Sequence, residues 1–228
     1  MRAIEKNKEV RGSLKWIRRA VNEHTSLLNE RIKVALGLRS EGLIDWKSPR
    51  ADDDYAEYGD DAFLQLLGIK LTRYPLKDFW PYRGPQWDAL ATLNGTGVLL
   101  VEAKANIPEE VSPATGASRT SRAKIDRSLE EVKRYLQVDS RIPWSGKLYQ
   151  YANRIAHLYL LRKMNGINAY LVFVYFTGDA DVGGPSTNAE WQAALTVVKG
   201  VLGLRDRHRL SPYIADIFID VAEIGSIL

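Results

Sequence analysis

The sequence predicts an α/β fold, a mixed central β-sheet flanked by helices. Three observations carry that prediction. Residues 86–93 and 98–105 are strand-like runs joined by Asn94-Gly95-Thr96-Gly97, a hairpin composition because Asn and Gly tolerate positive φ. Residues 167–176 are almost all apolar and rich in β-branched and aromatic side chains, the pattern of a strand buried on both faces. Apolar residues at helical spacing lie on both sides of these strands. The resulting order of helix, strand, hairpin, helices, buried strand, helix and strand suits a layered α/β arrangement.

Each element has its own signal. Residues 11–39 read as helix, with one apolar stripe at Leu14, Ile17, Ala20 and Val21 and another at Leu28, Ile32, Ala35 and Leu36. His24 and Thr25 divide the two, with Thr25 or Ser26 as cap and Gly37 near the second stop. Ser48-Pro49 and the run Asp52-Asp53-Asp54 mark residues 46–54 as a loop. A helix is expected over 55–67, ending at Gly68. Residues 69–86 read as a short strand and a loop rich in proline and aromatics (Pro75, Trp80, Pro81, Pro85). After the hairpin come a polar loop at 106–118 and helices over 121–138 and 147–164, the latter stopping near Gly166. A helix at 189–202 and a last or edge strand at 213–221 complete the chain. Residues 1–45 are expected as an N-terminal helical extension, a candidate for homodimerisation or substrate contact, and 46–228 as the α/β domain.

Composition narrows the function. The 228 residues carry 32 Lys plus Arg against 28 Asp plus Glu, a formal charge of +4 in an otherwise ordinary globular composition. That excess is compatible with a phosphate-bearing partner and does not establish one. The absence of cysteine excludes disulfides, Cys-ligated zinc, iron–sulfur clusters and a thiol nucleophile. The three histidines, His24, His157 and His208, are too scattered for a His-rich metal site. Residues 1–19 are charged and lack the apolar core of a secretion signal, and the longest apolar stretch is too short to span a bilayer as a helix. A soluble, cytoplasmic protein without a membrane partner is therefore expected.

The chemistry concentrates on the hairpin. Its second strand runs into Glu102-Ala103-Lys104, and alternation puts Glu102 and Lys104 on one face. Alone, that reads as an ion pair at a sheet rim. Asp88 on the partner strand adds weight. A three-residue loop pairs Leu93 with Gly97 and sets Asp88 opposite Glu102, whereas a four-residue loop shifts the register and needs a bulge. Facing carboxylates repel unless a cation or proton lies between them. Oxygen ligands with a nearby backbone carbonyl suit Mg²⁺ or Mn²⁺ rather than zinc.

Asp88 and Glu102-x-Lys104 on adjacent strands resemble the PD-(D/E)xK nuclease superfamily, the restriction-endonuclease-like fold. The resemblance covers residues 55–176, whose element order fits that core. One departure is that Pro85 stands three positions before Asp88, so the family's Pro-Asp pair is broken. The resemblance implies a Mg²⁺-dependent nuclease acting on DNA. Asp88 and Glu102 would coordinate the metal with the Ala103 carbonyl, and Lys104 would orient or deprotonate the attacking water or stabilise developing charge. Many members add an acid from the first core helix. Glu57 is the candidate, ahead of Asp60 and Asp61, although acids also suit the first turn of any helix. The superfamily also contains non-catalytic nucleic-acid-binding or scaffold domains. An unrelated α/β protein with ordinary rim charges is the third reading.

The helix at 147–164 carries a polar stripe of Gln150, Asn153, Arg154 and His157, opposite an apolar face of Leu148, Ala152, Ile155 and Tyr159. Exonuclease-like branches of the superfamily place Gln-x-x-x-Tyr on this helix. Here Arg154 stands four after Gln150, a partial match. Gln150 would bind water or phosphate and Arg154 would contact the nucleic-acid backbone, with Asn153 a further nucleic-acid-binding candidate; the alternative is a solvent-facing helix surface. His157 reads as a surface or wedge histidine. Arg119 and Arg122, with Lys124 and Arg127, form either a phosphate-binding patch or a helix surface salt-bridged to Glu130 and Glu131. Arg205, Arg207 and Arg209 read as solvated charges, and the tryptophans as packing residues.

Overall fold

A computed structural model describes residues 10–39 and 41–225. Residues 1–9, part of the stretch read for a secretion signal, lie outside the described residues. Five strands form a mixed sheet in the order β1 (Ile44–Ser48), β4 (Ala89–Leu93), β5 (Gly97–Lys104), β6 (Asn168–Thr177) and β7 (Ile214–Asp220). β1 pairs antiparallel with β4 and β4 with β5, and β5, β6 and β7 run parallel. A two-stranded ribbon, β2 (Tyr58–Gly59) with β3 (Gln86–Trp87), stands beside the sheet.

Helices cover both faces. On one lie α1 (Gly12–Asn22), α2 (Thr25–Leu36) and the C-terminal turn α8 (Val221–Gly225). Their Ile17, Ala20, Leu28, Ile32 and Ile224 share a core with Trp46, Leu99, Val101, Val172 and Ile217. On the other face, α5 (Arg119–Leu136), α6 (Tyr149–Tyr159) and α7 (Asn188–Leu202) pack over Leu100, Leu171, Phe173 and Tyr175. The described part of the stretch expected as an N-terminal extension thus supplies, with α8, one layer of the fold, and the boundary drawn at 45 falls inside β1. The physical reason is that β5 and β6 are apolar on both faces, and α1 and α2 are the helices that keep the second face from water. Among the described residues, no helix is long and apolar enough to cross a membrane.

Several local expectations are corrected. Residues 46–48, expected as the start of a loop, belong to β1 instead; Ile44, Trp46 and Ser48 point inward, and the Trp46 indole donates to Asn29 Oδ1 at 2.9 Å. The helix expected from residue 55 begins only at Asp60, as α3 (Asp60–Leu66). Asp54 and Tyr55 adopt φ of 49° and 56°, outside the right-handed helical region, and Tyr58 and Gly59 are taken up by the β2 ribbon, so the helix follows them. Residues 69–85 contain no strand; the one-turn helix α4 (Leu76–Phe79) buries Leu76 and Phe79 there. His24, not Thr25 or Ser26, occupies the cap of α2, and the Thr25 hydroxyl donates instead to the Val21 carbonyl. The polar loop after β5 is anchored: Asn106 caps a short 3₁₀ turn, and buried Ser112 accepts the Gln150 N–H at 3.0 Å. Of the two hairpin registers weighed, the three-residue loop is the one formed, with Leu93 paired to Gly97.

Candidate active site

The site forms where the hairpin ladder stops. The last β4–β5 pair is Ala89 with Val101, and Asp88 occupies the bend between β3 and β4. Its Oδ2 accepts the Ala103 N–H at 2.7 Å, which ties the bend to the end of β5. Continuing the β4–β5 register by one step sets Asp88 across from Glu102. Tyr58 pairs with Trp87, so continuing the β2–β3 register by one step sets Asp88 across from Glu57 as well. Asp88 therefore lies in the bend where the β2–β3 and β4–β5 ladders both end, and the charge it feels there is that of Glu102.

Glu102 and Lys104 share the sheet face toward α6, and Ala103 faces the α1 layer. Glu102 is 3% exposed and held by two cations: Lys104 Nζ donates to Oε1 at 2.7 Å, and Arg154 Nε donates to Oε2 at 2.5 Å. Lys104 Nζ also donates to Gln150 Oε1 at 3.1 Å. Arg154 donates further to Asn153 Oδ1 at 2.9 Å and to the Gln86 carbonyl at 2.8 Å, with its guanidinium 4.8 Å over the Trp87 ring. The polar stripe of α6 thus turns inward. Gln150 and Arg154 reach the hairpin, and Asn153 orients Arg154. His157 is a wedge: it is buried edge-on against Trp80 and Trp87, its Nδ1–H donates to the Asn153 carbonyl, and burial pushes its pKa down to about 3.

The two central carboxyls differ electrostatically. Burial, reinforced by the Glu102 charge, raises Asp88 to about 7 against the pull of Lys104 and Arg154. Arg154 and Lys104 outweigh the burial of Glu102 and hold it below its ordinary value. Lys104 is buried too, but Glu102 and Asp88 keep its ammonium charged and its pKa raised. Glu57 is half-buried, and burial raises it against the opposing charge of Arg18. Asp60 is committed elsewhere, accepting the Arg83 and Gly84 N–H groups at 3.1 and 2.8 Å, and Asp61 is exposed. Among the described residues, no group of three or more Asp, Glu or His side chains is arranged to hold a metal ion.

Arg119 and Arg122 lie in the first turn of α5, and Arg122 pairs with Asp126 at 3.8 Å. Among the described residues, no hydrogen bond or ion pair joins either arginine to Asp88, Glu102 or Lys104. Arg205, Arg207 and Arg209 line an open cleft of about 640 Å³ where the chain enters β7, at the far ends of the parallel strands from Lys104.

Two residues near the site escape sequence reasoning. Glu110, 3% exposed, feels Lys104 and is raised by burial to about 7, with its Oε1 making no hydrogen bond. Nothing in Glu109-Glu110 marks which carboxyl turns inward. Arg18 of α1 approaches Glu57; its signal is its place at the border of the α1 apolar stripe, four after Leu14 and three before Val21. The chain matches no family model, no curated protein and no solved structure.

Proposed function

We propose that the chain is a metal-dependent nuclease of the PD-(D/E)xK type, with a restriction-endonuclease-like core, hydrolysing phosphodiester bonds in DNA. The observation that carries this reading is the convergence of Asp88, Glu102 and Lys104 at the end of one hairpin. Their chemistry fits Mg²⁺ or Mn²⁺: the donors are hard oxygens, and Asp88 is a half-buried carboxyl with a raised pKa whose ionisation a cation would favour. Asp88 and Glu102 would hold the ion with the Ala103 carbonyl, and Glu57 is the additional acid best situated to assist. A bound ion supplies Lewis acidity at the scissile phosphate and a lowered pKa for the attacking water.

The chain's own groups do the rest. Lys104 acts as an ammonium rather than a base, because Glu102 and Asp88 hold its proton. It orients water and offsets the charge that builds on the phosphoryl oxygens. Gln150 fixes the direction of Nζ, and Arg154 braces Glu102 against the Gln86 carbonyl. Glu110 lies buried near Lys104, and burial raises its pKa to about 7.

A second reading, a non-catalytic nucleic-acid-binding or scaffold domain, is favoured by the engagement of both Glu102 oxygens by cations. The test is cleavage of plasmid, single-stranded DNA and RNA with Mg²⁺ or Mn²⁺ by wild type, Asp88→Ala and Lys104→Ala, with folding checked by circular dichroism. Cleavage of DNA by wild type and its loss in both folded variants is expected. Variants as active as wild type would sink the nuclease reading. Binding by wild type without turnover would select the scaffold.

A further inference from the structure

Between α7 and β7 the chain forms a loop, residues 203–213, that is tied down along its length. Gly203 and Leu204 close α7 by donating to the Gly200 and Lys199 carbonyls, and the Leu210 side chain is buried in the core. Ser211 folds the middle of the loop back. Its N–H and its hydroxyl both donate to the His208 carbonyl, at 3.0 and 2.9 Å, and its Oγ accepts the His208 N–H at 3.3 Å. The Leu210 N–H donates to His208 Nδ1 at 3.2 Å, which places the proton of the neutral ring on Nε2. Burial and the Lys199 charge lower the His208 pKa and so favour that neutral form.

On this frame Arg205, Arg207 and Arg209 are exposed and line the open cleft of about 640 Å³, whose wall Leu136, Gln137 and Pro212 extend. A narrower recess of about 110 Å³ shares Arg205 and His208 with it and reaches Lys199 and Asp216. Lys199 Nζ lies 2.6 Å from Asp216 Oδ2, so that carboxylate is already paired. Arg209 is held with its guanidinium 5.2 Å over the Tyr135 ring. Among the described residues, no hydrogen bond or ion pair engages the side chain of any of the three arginines, and Asp206 is the one carboxylate lining the wider cleft. Cations beside helix C-termini often serve the last carbonyls. Here backbone groups do that: Gln137 and Val138 donate to the Arg134 and Lys133 carbonyls at the end of α5, as Gly203 and Leu204 do for α7. The three guanidiniums therefore have no structural partner and are open to an incoming one. Each fork matches two oxygens of a phosphate, and three forks exceed what a single carboxylate accepts. The cleft's volume suits a small ligand, for which sites of about 300–1,000 Å³ are usual.

We propose that this cleft binds the phosphate groups of a nucleotide, free or within a nucleic-acid strand, at a site separate from the hairpin centre. Arg205 and Arg207 supply forks free of protein contacts, Arg209 adds one steadied by Tyr135, and His208 offers an uncharged Nε2–H. Asp206 opposes the ligand and limits the excess of positive charge. The cleft lies where β7 begins, at the opposite end of the parallel strands from Lys104, so a phosphate bound here is not the one set for hydrolysis. The inference stands on the geometry of this loop and does not depend on the nuclease reading.

Two probes separate the sources of phosphate: ATP, followed by isothermal titration calorimetry, and a labelled single-stranded oligothymidylate, followed by fluorescence anisotropy, both in EDTA at low salt. They are applied to wild type, the double variant Arg205→Gln/Arg207→Gln, Arg207→Lys, Asp206→Asn and the distant control Arg31→Gln. The double variant is expected to weaken binding about 10- to 100-fold, and Arg207→Lys to lose a smaller part of it. Asp206→Asn should tighten binding about 2- to 5-fold, and Arg31→Gln should leave it unchanged. The substituted side chains are exposed, so the ligand-free variants should melt with wild type, while the bound probe raises the melting temperature of wild type and not of the double variant. Binding of ATP that depends on Arg205 and Arg207 would assign the cleft to free nucleotides. The same dependence for the strand alone would assign it to nucleic acid, and either result retains the proposal. A wild type that binds neither probe, or binding that the double variant keeps, would overturn it. Equal weakening by Arg31→Gln would reduce the effect to net charge and overturn it too.

Discussion

Asp88 and Glu102 belong to one centre and have opposite expected effects on stability. Glu102 neutralises two buried cations, so Glu102→Ala leaves Lys104 and Arg154 without their ion-pair partner and with Asp88 to oppose both charges. A loss of about 3–5 kcal/mol in chemical denaturation is expected. Asp88 carries a charge that burial and Glu102 disfavour. Asp88→Asn keeps an acceptor for the Ala103 N–H and removes that charge, so the metal-free variant should be more stable than wild type at about pH 8, by ~1–3 kcal/mol. A destabilised Asp88→Asn would mean that its carboxylate is already compensated by protein groups.

Among the elements, α1 and α2 decide whether the sheet can exist alone. Leu28 and Ile32 are fully buried against the strands. Leu28→Ala should cost about 2–5 kcal/mol, and a chain lacking residues 10–36 should not yield a cooperative unfolding transition, because it exposes one whole sheet face. A truncated chain that melts cooperatively would make the layer dispensable. At the other face, α7 starts with a reciprocal cap: Thr187 Oγ1 accepts the Glu190 N–H, and Glu190 accepts the Thr187 N–H. Thr187→Ala should lower stability by about 1 kcal/mol without touching the hairpin centre.

Over the whole molecule, the buried ionisable groups set an unusual pH dependence. Asp88 and Glu110, each raised to about 7, keep protons in the folded chain at pH values where the unfolded chain has released them. Stability therefore rises as pH falls from about 7 toward the ordinary carboxyl range. His157, lowered to about 3, opposes this below its ordinary pKa, since the unfolded chain then binds a proton that the buried imidazole refuses. Burial raises Glu57 as well and lowers His208 as well, so three carboxyls act against two imidazoles. The metal-free protein should gain about 1 kcal/mol per pH unit between about pH 6.5 and 4.5 as pH falls, in urea titrations with EDTA. Glu110→Gln should cancel most of that slope, and stability rising with pH in this window would show that the carboxyls are ionised in the folded chain.

The layered α/β class, the hairpin with its register options and the doubly buried β6 were legible in the sequence because each follows from local chemistry. Asn and Gly close a turn, alternation assigns faces, and an unbroken apolar run requires cover on both sides. The proximity of Glu102 and Lys104 was legible for the same reason, since two residues along a strand share a face. β1 was hidden because Asp45, Lys47 and Ser48-Pro49 look like a loop until Trp46 finds the second face of the sheet. Glu57 is expected on a helix but lies just before the β2 ribbon, and the charges it feels from Arg18, Glu102 and Arg154 come from segments far away in the chain. The inward turn of Gln150 and Arg154 and the burial of Glu110 depend on distances between segments far apart in the chain. Local sequence determines which groups can share a strand or a helix face. Only packing decides which are removed from water, and removal from water is what separates a surface charge from a group that must find a partner.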